Sequence, residues 1–291
     1  MHQISNEFIT VDTVALGAEM KSFYYKPDKQ EWLWPGLPEF WARSSPVLFP
    51  VVGKLKDSTY TYNGQSYTMP QHGFARDQEF EVAHSGPSHV VYKLVSNDAL
   101  LASYPFPFEL QIAYQLDNNC VHVSYQVTNT GDGPMYFSIG AHPGFNCKKP
   151  DSVKDTKAFI RMDMGRELLL YRLQNGLLAS EPTEGLMSTL DGLISLTDQL
   201  IENDAMVFKT SLGRWVDLRI PGVRNSLRLA AKGWPSYGIW SKTGAPFVCL
   251  EPWYGHADQV DATGDITQKE GILQLETQQV WQATWSIEIR N

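Results

Sequence analysis

Apolar and polar residues alternate along much of this chain. HVVYKLVS (89–96), LQIAYQLD (110–117), CVHVSYQVTN (120–129), WVDLRIPG (215–222) and TWSIEIR (284–290) each place apolar residues at every second position. That is the period of a strand with one buried face. In VHVSYQV, Val121, Val123, Tyr125 and Val127 share one side, and His122, Ser124 and Gln126 share the other. Turn chemistry separates these runs. Asp117-Asn118-Asn119 sits between two of them at hairpin spacing, and TGDG (130–133) closes another. YNGQSY (62–67) holds Asn-Gly, the strongest short hairpin cue.

Helical signals are sparse. NDALLASY (97–104) predicts a short helix capped by Asn97 or Asp98. RELLLYRLQNG (166–176) is ambiguous, because its closing Asn-Gly serves equally as a helix stop or a turn. Many strands and few helices predict an all-β fold, a large antiparallel β-sandwich. With no linker, repeat, charge block or low-complexity stretch, one domain over 1–291 is expected.

The 291 residues suffice to bury a core without a disulfide or metal staple. A net charge of −8 and the lack of a basic stripe argue against a nucleic-acid partner. The three cysteines, Cys120, Cys147 and Cys249, form no C-x-x-C pair and imply no disulfide framework, so a reducing cytoplasm is expected. MHQISNEFIT is not patterned as a signal peptide. No apolar run approaches the ~18 residues of a membrane span, so no membrane partner is expected. Aromatic residues reach 12%, which suits a β-rich core and equally a sugar site, where ring faces stack on aromatics.

Candidate chemistry is dispersed. None of the seven histidines pairs at the spacing of a zinc helix, so no metal is expected. His84 and His89 flank a turn-like SGPS, where solvation accounts for both. No G-x-G-x-x-G, P-loop or G-x-S-x-G is present, so no nucleotide cofactor or serine nucleophile is expected. Three segments hold a titratable group on stiff backbone: MPQHGFARDQEF (69–80) with His72 and Arg76, SIGAHPGF (138–145) with His142, and FVCLEPWYGHAD (247–258) with Glu251. His142 and Glu251 each precede a proline, which forces extended backbone. Glu251 follows the apolar run FVCL, where a carboxylate must be paired or have a shifted pKa. Taken singly, a His-Pro is more often structural than catalytic, and a Glu-Pro after a strand is usually a turn with a solvated side chain.

In series, SIGAHPGF, FVCLEPWYG and SPVLFPVVGKLKDSTYTYNGQSYTMPQHGFAR (45–76) resemble motifs of the aldose 1-epimerases, the galactose mutarotase superfamily. The match is closest to the bacterial branch associated with lactose and galactose operons, and runs from about residue 8 to the C-terminus. The resemblance implies a concave sugar site on an antiparallel β-sandwich, interconversion of sugar anomers, and no cofactor. It implies Glu251 as base and His142 as acid, with His72 hydrogen-bonding the ring oxygen or a neighbouring hydroxyl, Asp204 holding sugar hydroxyls and Arg43 reaching the substrate. Arg76 would bind substrate or brace a strand-end carboxylate, and Asp204 would otherwise be a turn residue. A histidine acting as an acid near neutral pH leads us to expect nearby carboxylates, Glu251 and Asp204, to raise the pKa of His142.

One stretch departs from the galactose-specific pattern of Gly-Arg followed by Asn-Arg-Ile. Here it reads GKLKDSTY (53–60), with Lys54 in place of an arginine. That puts galactose in doubt and leaves a hexose 6-phosphate as an alternative substrate, since lysine meets phosphate as a point charge. A non-catalytic sugar-binding protein is a third reading. The expected partner is a small-molecule sugar, and the expected assembly a monomer or homodimer.

Overall fold

A computed structural model describes residues 1–147, 156–162, 167–187, 192–201, 204–210 and 213–290. Among them the largest element is a nine-stranded antiparallel sheet. Its order runs Leu193–Thr197, Thr156–Met162, Trp215–Arg219, Ser226–Ala230, Val280–Arg290, Cys120–Asn129, Phe108–Asp117, His89–Val95 and Glu81–Gly86. The five alternating segments of the sequence supply five of its nine strands. Trp215–Arg219 stops short of the expected end, because Ile220-Pro221-Gly222 leaves the ladder at a proline and a glycine with φ 80°. Val280–Arg290 begins four residues earlier than its alternation; in that first half Val280 and Gln282 are exposed, while Trp281 and Ala283 pack against the core.

Local cues hold at the turns. Asn63-Gly64 joins Thr59–Tyr62 to Gln65–Thr68. The helix Asp98–Leu101 is capped by Asn97, whose side chain accepts from the Leu100 N–H. His84 and His89 lie in strands flanking a two-residue turn. Of RELLLYRLQNG, Arg166 lies outside the described residues. The rest is extended: Glu167–Leu170 pairs with the distant Glu184–Met187, and Leu173–Gln174 with Leu177–Leu178 across Asn175-Gly176. No described helix is long and apolar enough to cross a membrane.

A six-stranded antiparallel sheet faces the large one. Its middle strand is Phe247–Tyr254, bordered on one side by Ser236–Trp240 and then Met206–Phe208. On the other side lie Ile139–Ala141 and Gly144–Asn146, with Val47–Leu48 beyond. Phe247–Tyr254 is buried at every position but the last, so both of its faces are covered. Alternation divides them cleanly. Val248, Leu250, Ile239, Tyr237, Met206, Phe208, Ile139, Ala141 and Phe145 join the main core, together with the inward rows Val121/Val123 and Leu110/Ile112 of the large sheet. The opposite parity supplies a second layer: Phe247 and Cys249 pack with Trp34, while Trp253 packs with Leu48 and Val207. One sheet thus closes the sandwich with one face and builds a cavity wall with the other. Truncating the core face alone, Leu250→Ala, is expected to cost about 2–5 kcal/mol, read as a lower urea midpoint with an unchanged m-value.

Candidate active site

The segment around His142 is a strand interrupted for two residues. Ile139 and Gly140 pair with Tyr254 and Trp253; Gly144, Phe145 and Asn146 pair with Cys249, Val248 and Phe247. Both halves keep one register, so His142 and Pro143 stand across from Glu251 and Leu250. Pro143 has no N–H for the ladder, but its carbonyl still accepts from the Leu250 N–H at 3.3 Å. Residues directly opposed in a sheet share a face. His142 Nε2 accordingly lies 3.3 Å from Glu251 Oε2.

The floor beside this pair is the Trp253 indole, two residues beyond Glu251 on the same face. It lies across its neighbours because they are glycines. A Cβ on Gly238 would come within 2.3 Å of the indole, and one on Gly140 within 2.5 Å. Trp41 stacks on the His142 ring at 4.8 Å between centroids, and Trp240 meets it edge-on at 5.8 Å. The loop bearing Trp41 is fastened by Glu19, a buried carboxylate that accepts from the Ser44 and Ser45 N–H groups.

His72 reaches the same place from another loop. Its backbone N–H donates to the Gly53 carbonyl, and its Nδ1 accepts from the Gly53 N–H at 3.1 Å. The latter bond leaves the ring proton on Nε2, a donor for a ligand oxygen. His72 has φ 66°, a conformation costly for a non-glycine residue and characteristic of functional loops. Gly73 follows with φ 68°, where a Cβ would strike the Phe49 carbonyl. The His72 and His142 rings meet edge-on at 5.7 Å.

Together these groups line a cavity of about 380 Å³ whose wall includes His72, Arg76, His142, Asp204 and Glu251 with Trp41, Trp240 and Trp253. That volume lies in the ~300–1,000 Å³ range of small-molecule sites. Asp204 stands at its exposed rim with φ 70°. Arg76 donates to the Gln71 carbonyl at 2.7 Å. The other two sequence-expected residues lie outside this wall. Arg43 is drawn to Asp77 at 2.7 Å. Lys54 opens onto an adjoining basin with Asn175, whose carbonyl accepts from its Nζ at 3.1 Å. Trp41, Trp240, Trp253, Gln71 and the positioning residue Glu19 were not singled out from sequence. The aromatic count was the one available signal, and it does not say which tryptophans face a cavity.

The electrostatics depart from the sequence expectation. His142 is 8% exposed and Glu251 1%. Burial pushes the His142 imidazole down to about 3, and the nearby Arg76 and Arg43 guanidinium groups add to this. Burial lifts the Glu251 carboxyl well above its ordinary range, and the Asp204 carboxylate lifts it further. Nearby carboxylates therefore do not raise His142. A carboxylate as dry as Glu251 is itself disfavoured as an ion, so it cannot offset the desolvation of an imidazolium. His72 is also held neutral, by burial first and then by the positive groups around it. Both members of the pair favour their uncharged forms.

Residues 1–274 match the model of a family described as aldose 1-epimerase. The plasmid and chromosomal LacX proteins of Lactococcus lactis subsp. lactis are each 28% identical over 288 residues, covering 94% of both chains. A galactose mutarotase related enzyme from Lactobacillus acidophilus has a TM-score of 0.91 at 33% identity, covering 100% of this chain and 97% of that one. A galactose mutarotase-like protein from Lactobacillus casei ATCC 334 has a TM-score of 0.90 at 29% identity, with 100% of both chains covered.

A histidine held near 3 binds no proton between about pH 8 and pH 5, where a free imidazole would titrate. The ring 1H–15N signals of His142, assigned by their loss in His142→Asn, are therefore expected to stay in the neutral pattern over that interval.

Proposed function

The chain belongs to the aldose 1-epimerase family, and we propose that its cavity interconverts the α and β anomers of an unphosphorylated hexose by opening and reclosing the ring. The observation that carries this reading is the in-register contact of His142 with Glu251. O1 and the ring oxygen share one carbon, so the base and the acid for the two must sit within a few ångströms of each other. A 3.3 Å Nε2–Oε2 separation supplies that. The tryptophans around the pair offer faces for the apolar side of a sugar ring, and His72 Nε2 and Asp204 offer a donor and an acceptor for hydroxyls.

In the opening step Glu251 takes the O1 proton, an O1 lone pair forms the carbonyl, the C1–O5 bond breaks, and O5 receives its proton from His142. Rotation about C1–C2 and reversal of the two transfers gives the other anomer. Opening leaves Glu251 protonated and His142 neutral. That is the charge state burial favours, so the dry pocket stabilises the enzyme as it stands beside the open-chain aldehyde. In the free enzyme the pair's one proton rests on Glu251, so turnover starts from the minor arrangement in which it has crossed the 3.3 Å contact to His142 Nε2 and left Glu251 ionised.

A phosphorylated sugar is less well served. Lys54 is engaged with the Asn175 carbonyl, and the Asp204 carboxylate borders the same basin. A binding protein without turnover would have no use for an acid and a base set against each other. The three free cysteines support a reducing cytoplasmic location.

Polarimetry on freshly dissolved α-glucose and α-galactose is the direct test. Acceleration of at least one free hexose is expected, with a smaller effect on glucose 6-phosphate. The opposite ranking moves the assignment to a hexose-phosphate epimerase, and binding without acceleration moves it to a sugar-binding protein. His142→Asn and Glu251→Gln are each expected to lower kcat about 10²–10⁴-fold. The pH profile carries a signature of the shifts. Gain of a second proton is displaced downward with His142 and loss of the only proton upward with Glu251. The enzyme-dependent kcat/KM should therefore show no acid limb near ~6.5 and should fall only in stronger acid and in alkali.

A further inference from the structure

The parity that places Glu251 on the cavity face also places Cys249 there, two residues earlier and one step deeper. Cys249 is fully buried. Its cross-strand partner is Gly144, where a Cβ would stand 3.4 Å from the sulfur and 3.0 Å from the Trp41 ring. One ligand atom from each of the three lies within 4.8 Å of the others. His142 Nδ1 and Glu251 Oε1 are buried without a hydrogen-bond partner. Buried polar atoms without partners are uncommon and call for an explanation.

We propose that His142, Cys249 and Glu251 form a site for a thiophilic divalent cation, with Zn2+ the fitting ion, and that its occupation blocks the acid–base pair. Zinc takes nitrogen, thiolate and carboxylate ligands at about 2.0–2.3 Å. Tetrahedral geometry then spaces the ligand atoms on the order of 3–4 Å apart, and the His142–Glu251 pair already stands at 3.3 Å. Two of the three ligands bind as anions, which balances the charge of the ion. Binding releases the Cys249 thiol proton to solvent, and the Glu251 proton where it is held; nothing is oxidised or reduced. His142 and Glu251 line the cavity, which is the route in. Lys157 is paired with Asp198 at 2.7 Å and Arg43 with Asp77 at 2.7 Å, while Arg76, the cation in the cavity wall, lies 3.8 Å from Asp77. Binding itself does not depend on the proposed epimerase activity; only the inhibition rests on that reading.

Cobalt(II) is the probe, titrated into the full chain and into Cys249→Ser and Cys249→Ala. Wild type is expected to show one equivalent of thiolate-to-cobalt absorption in the near ultraviolet, displaced by Zn2+ and absent from both variants. Zn2+ affinity by competition should fall about tenfold or more in the variants. Zn2+ should inhibit mutarotation in wild type at concentrations that leave either variant active and restore it on chelation. No thiolate band, or equal Zn2+ affinity in wild type and both variants, overturns the site. A Cys249-dependent band in a protein that accelerates no sugar keeps the site and removes the epimerase reading instead.

Discussion

The molecule depends on one strand pairing. Phe247–Tyr254 and the broken strand on its flank share a single register, which carries through two residues that form no ladder pair of their own. That continuity sets His142 opposite Glu251. It sets Gly140 opposite Trp253, where the indole needs the missing side chain, and Gly144 opposite Cys249, where a Cβ would crowd the Trp41 ring at 3.0 Å. A slip by one residue would turn every one of these side chains to the other face. The sandwich core guards against such a slip, because Val248 and Leu250 are held by the same alternation that exposes Glu251 to the cavity.

Prolines give this pairing its local character. A proline inside a sheet removes a ladder donor and belongs at edges or irregular positions. Here one follows the histidine and one follows the glutamate, and each holds the preceding residue extended. The interruption at Pro143 falls within a strand that is otherwise enclosed, so the surrounding core bears its cost. The other strained positions at the cavity, His72 and Asp204, both have positive φ. His72 is locked there by two hydrogen bonds to Gly53.

Dryness then governs the chemistry. An imidazole and a carboxyl in contact would form an ion pair at the surface. Enclosed by three tryptophans, the pair favours its uncharged form, since desolvating two ions costs more than their attraction returns. The same enclosure makes a rigid, apolar-walled site in which a small proton movement has large electrostatic consequences. It also brings a thiol within reach of the two groups, as a consequence of strand parity rather than of any contact they share.

Much of this was legible in the chain alone. Period-two alternation specified five of the nine strands of the large sheet through the burial of one face, a property of local order. Asn63-Gly64 and Asn97 announced a turn and a cap through their own backbone preferences. His142-Pro143 and Glu251-Pro252 marked stiff positions, and their motifs pointed to the family. What the chain could not disclose depends on partners far away in sequence. RELLLYRLQNG is extended because Glu167–Leu170 finds Glu184–Met187. The tryptophans of the cavity are indistinguishable in sequence from those of the core, since only sheet neighbours tell which face each one occupies. Arg43 and Lys54 are basic residues in promising segments, but Asp77 and the Asn175 carbonyl hold them outside the cavity wall. The direction of the His142 shift reversed for the same reason: residue type sets the ordinary pKa, and burial, a property of the assembled fold, moves it. The sequence by itself determined which residues can carry the chemistry, and the tertiary structure decided which of them meet and in what charge state.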